Sequence, residues 1–440
     1  MTMTTNTQNR PDIIYIVADD LGSADLGCYG GDPAVSPAID RLAAEGLRFT
    51  TAYANSPVCS PTRFALITGR WQYRLRGAAE EPLGRRSDTL GLPPEHPTLP
   101  SLLRDAGYAT ALAGKWHLGY APAFGPLKSG YQEFFGPMGG AVDYFSYLNF
   151  GGQRDLWDGA APSAAEGYLT DLVSERAAAF VARDRGAQPY FLSVHYTAPH
   201  WPWEDREGGR RESQRIGADI GHLDGGSIEV YRRMIRQMDE GIARILAAIP
   251  APRRADTLVV FTSDNGGERF SNNWPYVGGK MDLTEGGIRV PLVMRWPRRI
   301  AAGRSSALPT ITMDGAATLL QAAGVAPHPD HPLDGLSLLP LFDDAAWAAP
   351  PRRLYWRMKH RLQAACLDHP WKYLRIDGHE YLFDLSADQR ERANQARRQP
   401  ARLAALREQW NAWARTMPGI PDDADVYLIW GEDDMPRPTH

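Results

Sequence analysis

Two short acidic clusters follow strand-like segments of the chain. Asp19-Asp20 come directly after an apolar run at 12–18, and Asp264-Asn265 come after a second run at 257–262. If the two runs are neighbouring strands, four oxygen-bearing side chains meet at one sheet edge, and such a set suits a hard divalent cation, Ca²⁺ or Mg²⁺. Taken singly, each pair is more typical of a turn or a helix cap. Because the pattern occurs at two strand ends, it favours a metal site.

Cys59 lies where the sequence predicts the beginning of a helix. Pro61 suits a first helical turn and Gly69 a helix end, so Cys59 lies at or just before the N-terminus. Free backbone N–H groups and the helix dipole favour an anion there. Arg63, one turn later, can direct a positive charge to the same place. The plain alternative is that Cys59 is a small buried apolar residue.

Four further polar residues could serve the same site. Lys115 and His117 alternate along an extended segment and so face the same way; the lysine could bind an anion and the histidine could transfer a proton. His200 lies in a rigid loop between prolines, and Lys280 lies among glycines that allow close approach of a ligand. A surface lysine or a hydrogen-bonded histidine is the plain alternative for each. His195, inside a predicted strand, is expected to be structural.

Together these residues form one chemical set. It contains a carboxylate-held cation, a cysteine at a helix N-terminus, and five positive or titratable side chains: Arg63, Lys115, Lys280, His117 and His200. This set predicts a pocket for the ester of a tetrahedral oxyanion, with an acid available for the leaving group.

Alternating strands and helices must position this set. Apolar runs at 12–18, 190–196 and 257–262 predict strands that are covered on both faces. Each run ends in polar residues, as at the carboxyl edge of an open α/β sheet, where ligands bind. Apolar spacing and capping residues predict helices over four segments: 36–46, 166–184, 227–249 and 314–323. The pattern predicts an α/β fold with a large, mainly parallel (mixed) sheet flanked by helices.

The C-terminal part of the chain has a different pattern. Three short candidate strands at 353–359, 371–376 and 380–385 precede a helix at about 400–413. Strands in quick succession followed by a helix predict a small C-terminal antiparallel α+β subdomain.

These patterns predict how the chain is divided. The predicted parts are a disordered N-terminus (1–11), a catalytic α/β domain (12–341), a C-terminal α+β subdomain (342–430) and a tail (431–440). The polar, glycine-rich segment 204–226 is predicted to be a mobile insertion.

Composition excludes several classes of protein. The chain has 440 residues, of which 43% are hydrophobic and 23% charged, the balance of a globular protein and not of a disordered one. Its net charge of −4 offers no general attraction to nucleic acid or to an anionic membrane. Three cysteines (Cys28, Cys59 and Cys366) are too few for a disulfide scaffold. A polar start and the lack of a membrane-length apolar run predict a cytoplasmic protein.

These segments together resemble the type I sulfatases of the alkaline-phosphatase-like superfamily. The signature C-x-P-x-R followed by T-G-R stands here as Cys59-Ser60-Pro61-Thr62-Arg63 and Thr68-Gly69-Arg70. The similarity continues in the segments GKWHLG, APHWP, SDNGG, GGKMDLTEGGIRVP and LFDL, and so extends over nearly the whole chain from Asp12 to about Trp413.

The resemblance implies a sulfatase mechanism. Cys59 would be oxidised to formylglycine (3-oxoalanine) by a formylglycine-generating enzyme. One hydroxyl of its hydrate would attack sulfur, and the second would expel sulfate. The metal, Ca²⁺ in preference to Mg²⁺, would be held by five residues: Asp19, Asp20, Cys59, Asp264 and Asn265. The other roles implied are Arg63 for the diol, Lys115 and Lys280 for the sulfate oxygens, His117 as the base for the second hydroxyl, and His200, with Lys280, for the departing alkoxide.

The expected substrate is a small aryl or sugar sulfate ester. Seven aromatic residues near the predicted loops could stack on such a group: Trp116, Tyr120, Tyr144, Phe145, Tyr147, Trp201 and Trp203. Ordinary packing is the alternative for most of them. Two other functions stay open, a phosphonate monoester or phosphodiester hydrolase on the same scaffold and a non-catalytic binder of sulfated ligands. Asn265 favours the sulfatase, because the phosphonate enzymes tend to have His at that position.

Overall fold

A computed structural model describes residues 10–221 and 225–428. In this part of the chain there are sixteen strands: β1 (Asp12–Ala18), β2 (Leu47–Phe49), β3 (Ala52–Tyr53), β4 (Ala109–Gly114), β5 (Glu133–Gly136), β6 (Trp157–Asp158), β7 (Ala161–Pro162), β8 (Tyr190–His195), β9 (Thr257–Ser263), β10 (Leu292–Arg295), β11 (Arg304–Ser306), β12 (Thr310–Ile311), β13 (Leu354–Arg357), β14 (Ala364–Asp368), β15 (Trp371–Ile376) and β16 (His379–Asp384).

Ten α-helices lie in the same described residues. They are α1 (Pro37–Ala44), α2 (Cys59–Thr68), α3 (Leu99–Asp105), α4 (Leu169–Ala182), α5 (Gly209–Ile216), α6 (Ile228–Ala248), α7 (Glu285–Ile288), α8 (Asp314–Ala322), α9 (Leu339–Asp343) and α10 (Pro400–Ala414). Among the described residues, none of these helices is both long and apolar enough to cross a membrane.

Ten of the strands form one large mixed sheet. Its order is β11-β2-β10-β9-β1-β8-β4-β5-β6-β7. The four central strands β9, β1, β8 and β4 are mutually parallel, whereas β10 is antiparallel to both of its neighbours. The predicted α/β fold with a mainly parallel, mixed sheet is confirmed, and the carboxyl ends of the four central strands lie at one edge.

Helices cover both faces of this sheet because successive strand residues point to opposite sides. In β1, Ile14 and Ile16 pack in one core cluster with α1, α4 and α6. Ile13, Tyr15 and Val17 pack in a second cluster with α2, α3 and α8. β1 is therefore buried on both faces, as its continuous apolar run predicts.

The C-terminal subdomain is a four-stranded antiparallel sheet in the order β13-β14-β15-β16, with α10 packed against it. The predicted subdomain is confirmed, with one strand more than the sequence indicates. β14 (AACLD) was missed because it has no aromatic or β-branched residue to signal a strand.

Other boundaries differ in detail. The segment predicted to be an insertion at 204–226 contains the polar helix α5. α9 spans the predicted domain boundary at 341, and the division into domains stays a prediction. Most of the predicted disordered N-terminus (1–9 of 1–11) and all of the predicted tail (431–440) lie outside the described residues.

Candidate active site

The carboxyl edge of the central sheet brings the predicted residues together. Asp19 follows β1, Lys115 follows β4, Asp264 follows β9, and His200 lies five residues beyond the end of β8. The backbone N–H of Asp264 donates to the carbonyl of Ala18 at 3.2 Å, which continues the pairing of β1 with β9 past both strand ends. Side chains separated by up to 245 residues in the chain thereby share one site.

The two acidic clusters are in direct contact. Nδ2 of Asn265 donates to Oδ1 of Asp20 at 2.7 Å, and the backbone N–H of Asp20 donates to Oδ1 of Asp264 at 3.3 Å. Asp20 has a left-handed φ of 60°, an uncommon conformation that directs its backbone N–H into the cluster. All four residues of the clusters are buried.

Cys59 is the first residue of α2 and is buried. Sγ of Cys59 and one carboxylate oxygen each of Asp19 and Asp264 all lie within 4.8 Å of one another. Gly69 ends the helix with a φ of 67°, and its N–H donates to the carbonyl of Ala65 at 2.9 Å. The predicted helix is therefore present, and its N-terminus, where Cys59 lies, is directed at the acidic cluster.

Three cations face the carboxylates. Nζ of Lys115 lies 2.5 Å from Oδ2 of Asp19. Nζ of Lys280 lies 2.6 Å from Oδ2 of Asp20. Arg63, one turn into α2, donates from Nε and Nη2 to Oδ2 of Asp264 at 3.0 and 2.8 Å. Lys115 and Arg63 are buried, whereas the side chain of Lys280 is 11% exposed, at the wall of the cavity described below. Each ion pair gives its cation a definite position at the site.

The surroundings of the cations and acids alter their protonation. Burial, and then the negative charge of Asp264, raises the pKa of Asp19 above its usual value, although Lys115 and Arg63 oppose this. Burial, the largest single effect, lowers the pKa of Lys280, but the negative charges around it, Asp20 first and Glu268 next, together outweigh burial, so the pKa of Lys280 is raised. The amine of Lys280 is consequently protonated at neutral pH.

The two histidines of the site, His117 and His200, are neutral imidazoles. Burial, and then the positive charge of Lys115, lowers the pKa of His117 well below its usual value. Burial, and then the charge of Lys280, does the same for the pKa of His200. Neither ring therefore holds a second proton at neutral pH.

Carbonyl contacts determine which nitrogen of each ring is protonated. Nε2 of His117 lies 2.9 Å from the carbonyl of Leu83, and Nδ1 of His200 lies 2.6 Å from the carbonyl of Trp201. Because a carbonyl only accepts, these nitrogens carry the protons. Nδ1 of His117 and Nε2 of His200, which lies 3.1 Å from Nζ of Lys280, are left as proton acceptors.

His195 has a different place. It is the buried last residue of β8, and its Nδ1 lies 3.2 Å from the carbonyl of Lys115. Burial, and then the charge of Arg63, lowers the pKa of His195 to about 3. This contact supports the turn that carries Lys115, in keeping with the structural part expected for His195.

The acidic cluster suits a divalent cation. Oδ1 of Asp19 and Oδ1 of Asn265 are buried without a hydrogen-bond partner among the residues that the structure describes. A buried polar atom of this kind is costly unless something binds it. Carboxylate and amide oxygens from two strand ends are ligands that Ca²⁺ and Mg²⁺ accept. The residues present therefore fit such an ion.

A cavity of about 730 Å³ opens above the site. Cys59, His117, His200 and Lys280 line it. Of the seven aromatic residues named from the sequence, Tyr120 and Trp201 are among the lining residues, whereas Trp116, Tyr144, Tyr147 and Trp203 are buried in the core clusters and Phe145 packs against one.

Sequence reasoning missed other aromatic residues of the wall. Phe150, Trp157 and Tyr427 also line the cavity, and Phe150 is 59% exposed. The only local signal was Phe150 beside Gly151-Gly152, an apolar residue in a turn. Tyr427 comes from the far end of the chain, so no local pattern could have placed it here.

Sequence comparisons agree with this geometry. The family model described as Sulfatase matches residues 11–325, and the model described as N-sulphoglucosamine sulphohydrolase, C-terminal, matches residues 279–404. The N-acetylgalactosamine-6-sulfatase of Canis lupus familiaris is 36% identical over 355 residues, covering 75% of this chain and 65% of that protein. The steryl-sulfatase of Mus musculus is 31% identical over 440 residues, covering 80% of this chain and 68% of that protein. This chain thus spans somewhat less than two thirds of the length of the first relative.

A solved structure shares the whole architecture. Ps i-CgsB, in complex with k-i-k-neocarrahexaose, superimposes with a TM-score of 0.84 at 28% sequence identity, covering 97% of this chain and 98% of that one. The family model spans most of this chain, and the resemblance inferred from the signature around Cys59 is confirmed: the chain belongs to the sulfatase family.

Proposed function

We propose that this protein is a sulfuric ester hydrolase that cleaves a sulfate monoester. The observation that carries the proposal is the position of Cys59. It lies at the buried N-terminus of α2, with its Sγ within 4.8 Å of a carboxylate oxygen each of Asp19 and Asp264, and it lines the cavity. Membership of the sulfatase family supports the same reaction.

Cys59 is proposed to be converted to formylglycine by a formylglycine-generating enzyme before folding buries it. Hydrated formylglycine supplies two hydroxyl groups on one carbon, one to attack sulfur and one to release the product. Asp19, Asp20, Asp264, Asn265 and residue 59 would hold Ca²⁺, which would supply positive charge to favour ionisation of the attacking hydroxyl group and to stabilise negative charge on the sulfate oxygens.

The cations of the site overcome the main difficulty of the reaction. Sulfate esters are poor electrophiles because their oxygens repel an incoming anion. Lys115 and Lys280 offer ammonium groups to those oxygens, and Arg63 lies beside residue 59 on the first turn of α2. Their positions are held by ion pairs before substrate arrives, so little reorganisation is needed during the reaction.

Proton transfers are proposed for the remaining three groups. Nδ1 of His117, which lacks a described hydrogen-bond partner, would accept the proton of the second hydroxyl. The amine of Lys280 lies 3.1 Å from Nε2 of His200. Together with that ring, the protonated amine would protonate or stabilise the departing alkoxide. His200 by itself holds no second proton near neutral pH, so we assign the proton to Lys280.

The walls of the cavity suit an aryl or sugar sulfate. Phe150 and Trp201 form an edge-to-face pair with ring centroids 5.2 Å apart, and both line the cavity. Aromatic faces of this kind stack on aryl rings and sugar rings. The solved structure of Ps i-CgsB in complex with k-i-k-neocarrahexaose supports a sugar as the group that the cavity binds.

Steady-state kinetics of the matured protein tests this proposal. The chain is co-expressed with a formylglycine-generating enzyme, and intact mass confirms the loss expected when CH₂SH becomes CHO. We then compare kcat/KM for aryl sulfates, sugar sulfates, an aryl phosphonate and a phosphodiester. A sulfate ester should be the best substrate. Preference for the phosphonate would favour the alternative hydrolase, and binding of sulfated ligands without turnover would favour the non-catalytic binder.

Protein produced without the maturing enzyme is the control. It has the same fold and cavity but retains the thiol, so its turnover should fall with the converted fraction. Equal turnover in converted and unconverted protein would contradict the formylglycine assignment.

A further inference from the structure

Met281, the residue after Lys280, has an unusual backbone conformation. Its φ is 74°, in the left-handed region that a non-glycine residue with an apolar side chain rarely adopts. Such a conformation persists only where surrounding contacts impose it. The contacts of Met281 therefore also determine the direction in which the preceding lysine leaves the backbone.

Two hydrogen bonds hold Met281, one on each side. Its N–H donates to the carbonyl of Pro57 at 2.9 Å, two residues before Cys59. Its carbonyl accepts from Nε2 of Gln363 at 2.8 Å, at the entrance to β14. Oε1 of the same glutamine accepts from the N–H of Leu283 at 2.8 Å. Gln363 is 1% exposed, so water does not replace these bonds readily.

A buried ionic cluster fixes the far end of the same segment. Nζ of Lys372, in β15, lies 2.9 Å from Oε1 of Glu285, and Oε2 of Glu391 accepts from the backbone N–H of Glu285 at 2.6 Å. Lys372 and Glu285 are both buried. The segment from Lys280 to Glu285 is thus held from the C-terminal subdomain at both ends.

We infer that Gln363 is a positioning residue for Lys280: its side-chain amide keeps Met281 left-handed and so directs the Lys280 amine at Asp20 and His200. The inference rests on the proposed function for its kinetic consequence. Without the amide donor, Met281 relaxes to a commoner conformation, and the amine moves away from the leaving group. Esters with poor leaving groups then suffer most, because they depend most on a cation at the departing oxygen.

Leaving-group dependence of matured Gln363→Met tests this inference. The variant is similar in size to the wild type but loses the donor to Met281, together with the acceptor for Leu283. Glutamate is unsuitable here, because a buried carboxyl group keeps its proton and would still donate. Across aryl sulfates of increasing phenol pKa, we expect kcat to fall by up to about 10²-fold for the poorest leaving group and little for the best. The expected slope is therefore steeper than that of the wild type. A wild-type slope in this variant would overturn the inference.

Matched variants separate positioning from general destabilisation. Tyr373→Phe removes a 2.9 Å hydrogen bond to Glu380 within the same C-terminal sheet, a bond that does not involve the segment, and should keep the wild-type slope. If Tyr373→Phe steepens the slope equally, the effect is structural and the inference fails. Adding Met281→Asn to Gln363→Met should restore part of the lost kcat, because Asn tolerates the left-handed conformation. Gln363→Leu replaces Gln363→Met if the latter does not fold.

Crystallography provides a readout that does not depend on activity. In Gln363→Met, we expect Nζ of Lys280 to leave the 2.6 Å contact with Oδ2 of Asp20. Retention of that contact would overturn the inference. If the wild type hydrolyses no sulfate ester, the proposed function fails. The structural comparison alone then shows whether Gln363 positions Lys280.

Discussion

The amine of Lys115 and the carboxylate of Asp19 form a completely buried ion pair, with Nζ and Oδ2 2.5 Å apart. One oxygen of Asp19 is thus occupied by the lysine, while the other, Oδ1, has no hydrogen-bond partner among the described residues. In the proposed function Asp19 therefore has two parts: one oxygen holds the amine of Lys115 in place, and the other is available to the proposed metal ion.

Replacement of Cys59 should abolish turnover without loss of the fold. We expect the Cys59→Ala variant, co-expressed with the formylglycine-generating enzyme, to lose at least about 10³-fold in kcat relative to the matured wild type, because no nucleophile remains. Its melting temperature should stay within a few degrees of the wild type. Cys366→Ala is the matched control, since Cys366 is equally buried but lies in β14. Wild-type turnover by Cys59→Ala would refute the assignment of residue 59 as the nucleophile.

Asp264→Asn should lose the divalent cation. The change keeps the shape of the side chain but removes the charge that contacts Arg63 and faces the proposed ion. Changes around metal ligands commonly cost about 10- to 100-fold in affinity, and a direct ligand should cost at least as much. Elemental analysis after dialysis should find calcium in the wild type but not in the variant.

Thermal unfolding adds a second measurement on Asp264→Asn. Calcium should raise the melting temperature of the wild type by preferential binding to the folded state, and should leave that of the variant unchanged. Asp377→Asn serves as the control, because that carboxylate is half exposed in a surface ion pair with Arg361. Undiminished calcium in Asp264→Asn would count against the proposed ligand set.

The free energy of unfolding should fall as the pH rises, because the buried Glu204 loses its proton. Burial, and then the negative charge of Asp143, raises the pKa of Glu204 to about 10 from an ordinary value of 4.5. The folded state thus binds a proton that the unfolded state releases, so the stabilisation is complete below about pH 4.5 and is lost as the pH rises toward 10. Glu204→Gln, which mimics the protonated acid, should show a weaker decline of unfolding free energy between pH 6 and 10. Identical pH profiles for the two proteins would exclude Glu204 as the group responsible.

Lys372 should be critical for stability even though it lies outside the cavity. Its amine is buried between Glu285 and Glu391, so Lys372→Met leaves the buried Glu391 without this cation and Glu285 with Arg289 alone. We expect a loss of about 3–5 kcal/mol in unfolding free energy. Arg407→Met, which breaks a 2.8 Å pair at the surface, should cost less than about 1 kcal/mol. Denaturant titrations of both variants measure the contrast, and similar losses would show that burial of the pair is immaterial.

Local patterns in the sequence predicted much of the fold. β1 was predicted with the bounds that it has, and α6 and α8 to within one residue at each end, because strand burial and helix caps act over a few neighbouring residues. β14 and α5 escaped prediction, since their formation depends on a neighbouring sheet or on loop packing more than on their own residue types.

By itself, the sequence determined which residues are available for chemistry: the signature around Cys59 and the acids after two strands, all of which lie at one sheet edge. Only the tertiary structure decided their partners, as with Arg63 and Asp264, which are 201 residues apart in the chain. It also decided that Tyr144 packs in the core while Phe150 lines the cavity, and that Gln363 contacts the segment of Lys280. The physical reason is that backbone propensities and helix caps are local, whereas ion pairing, burial and cavity shape arise only where distant segments meet.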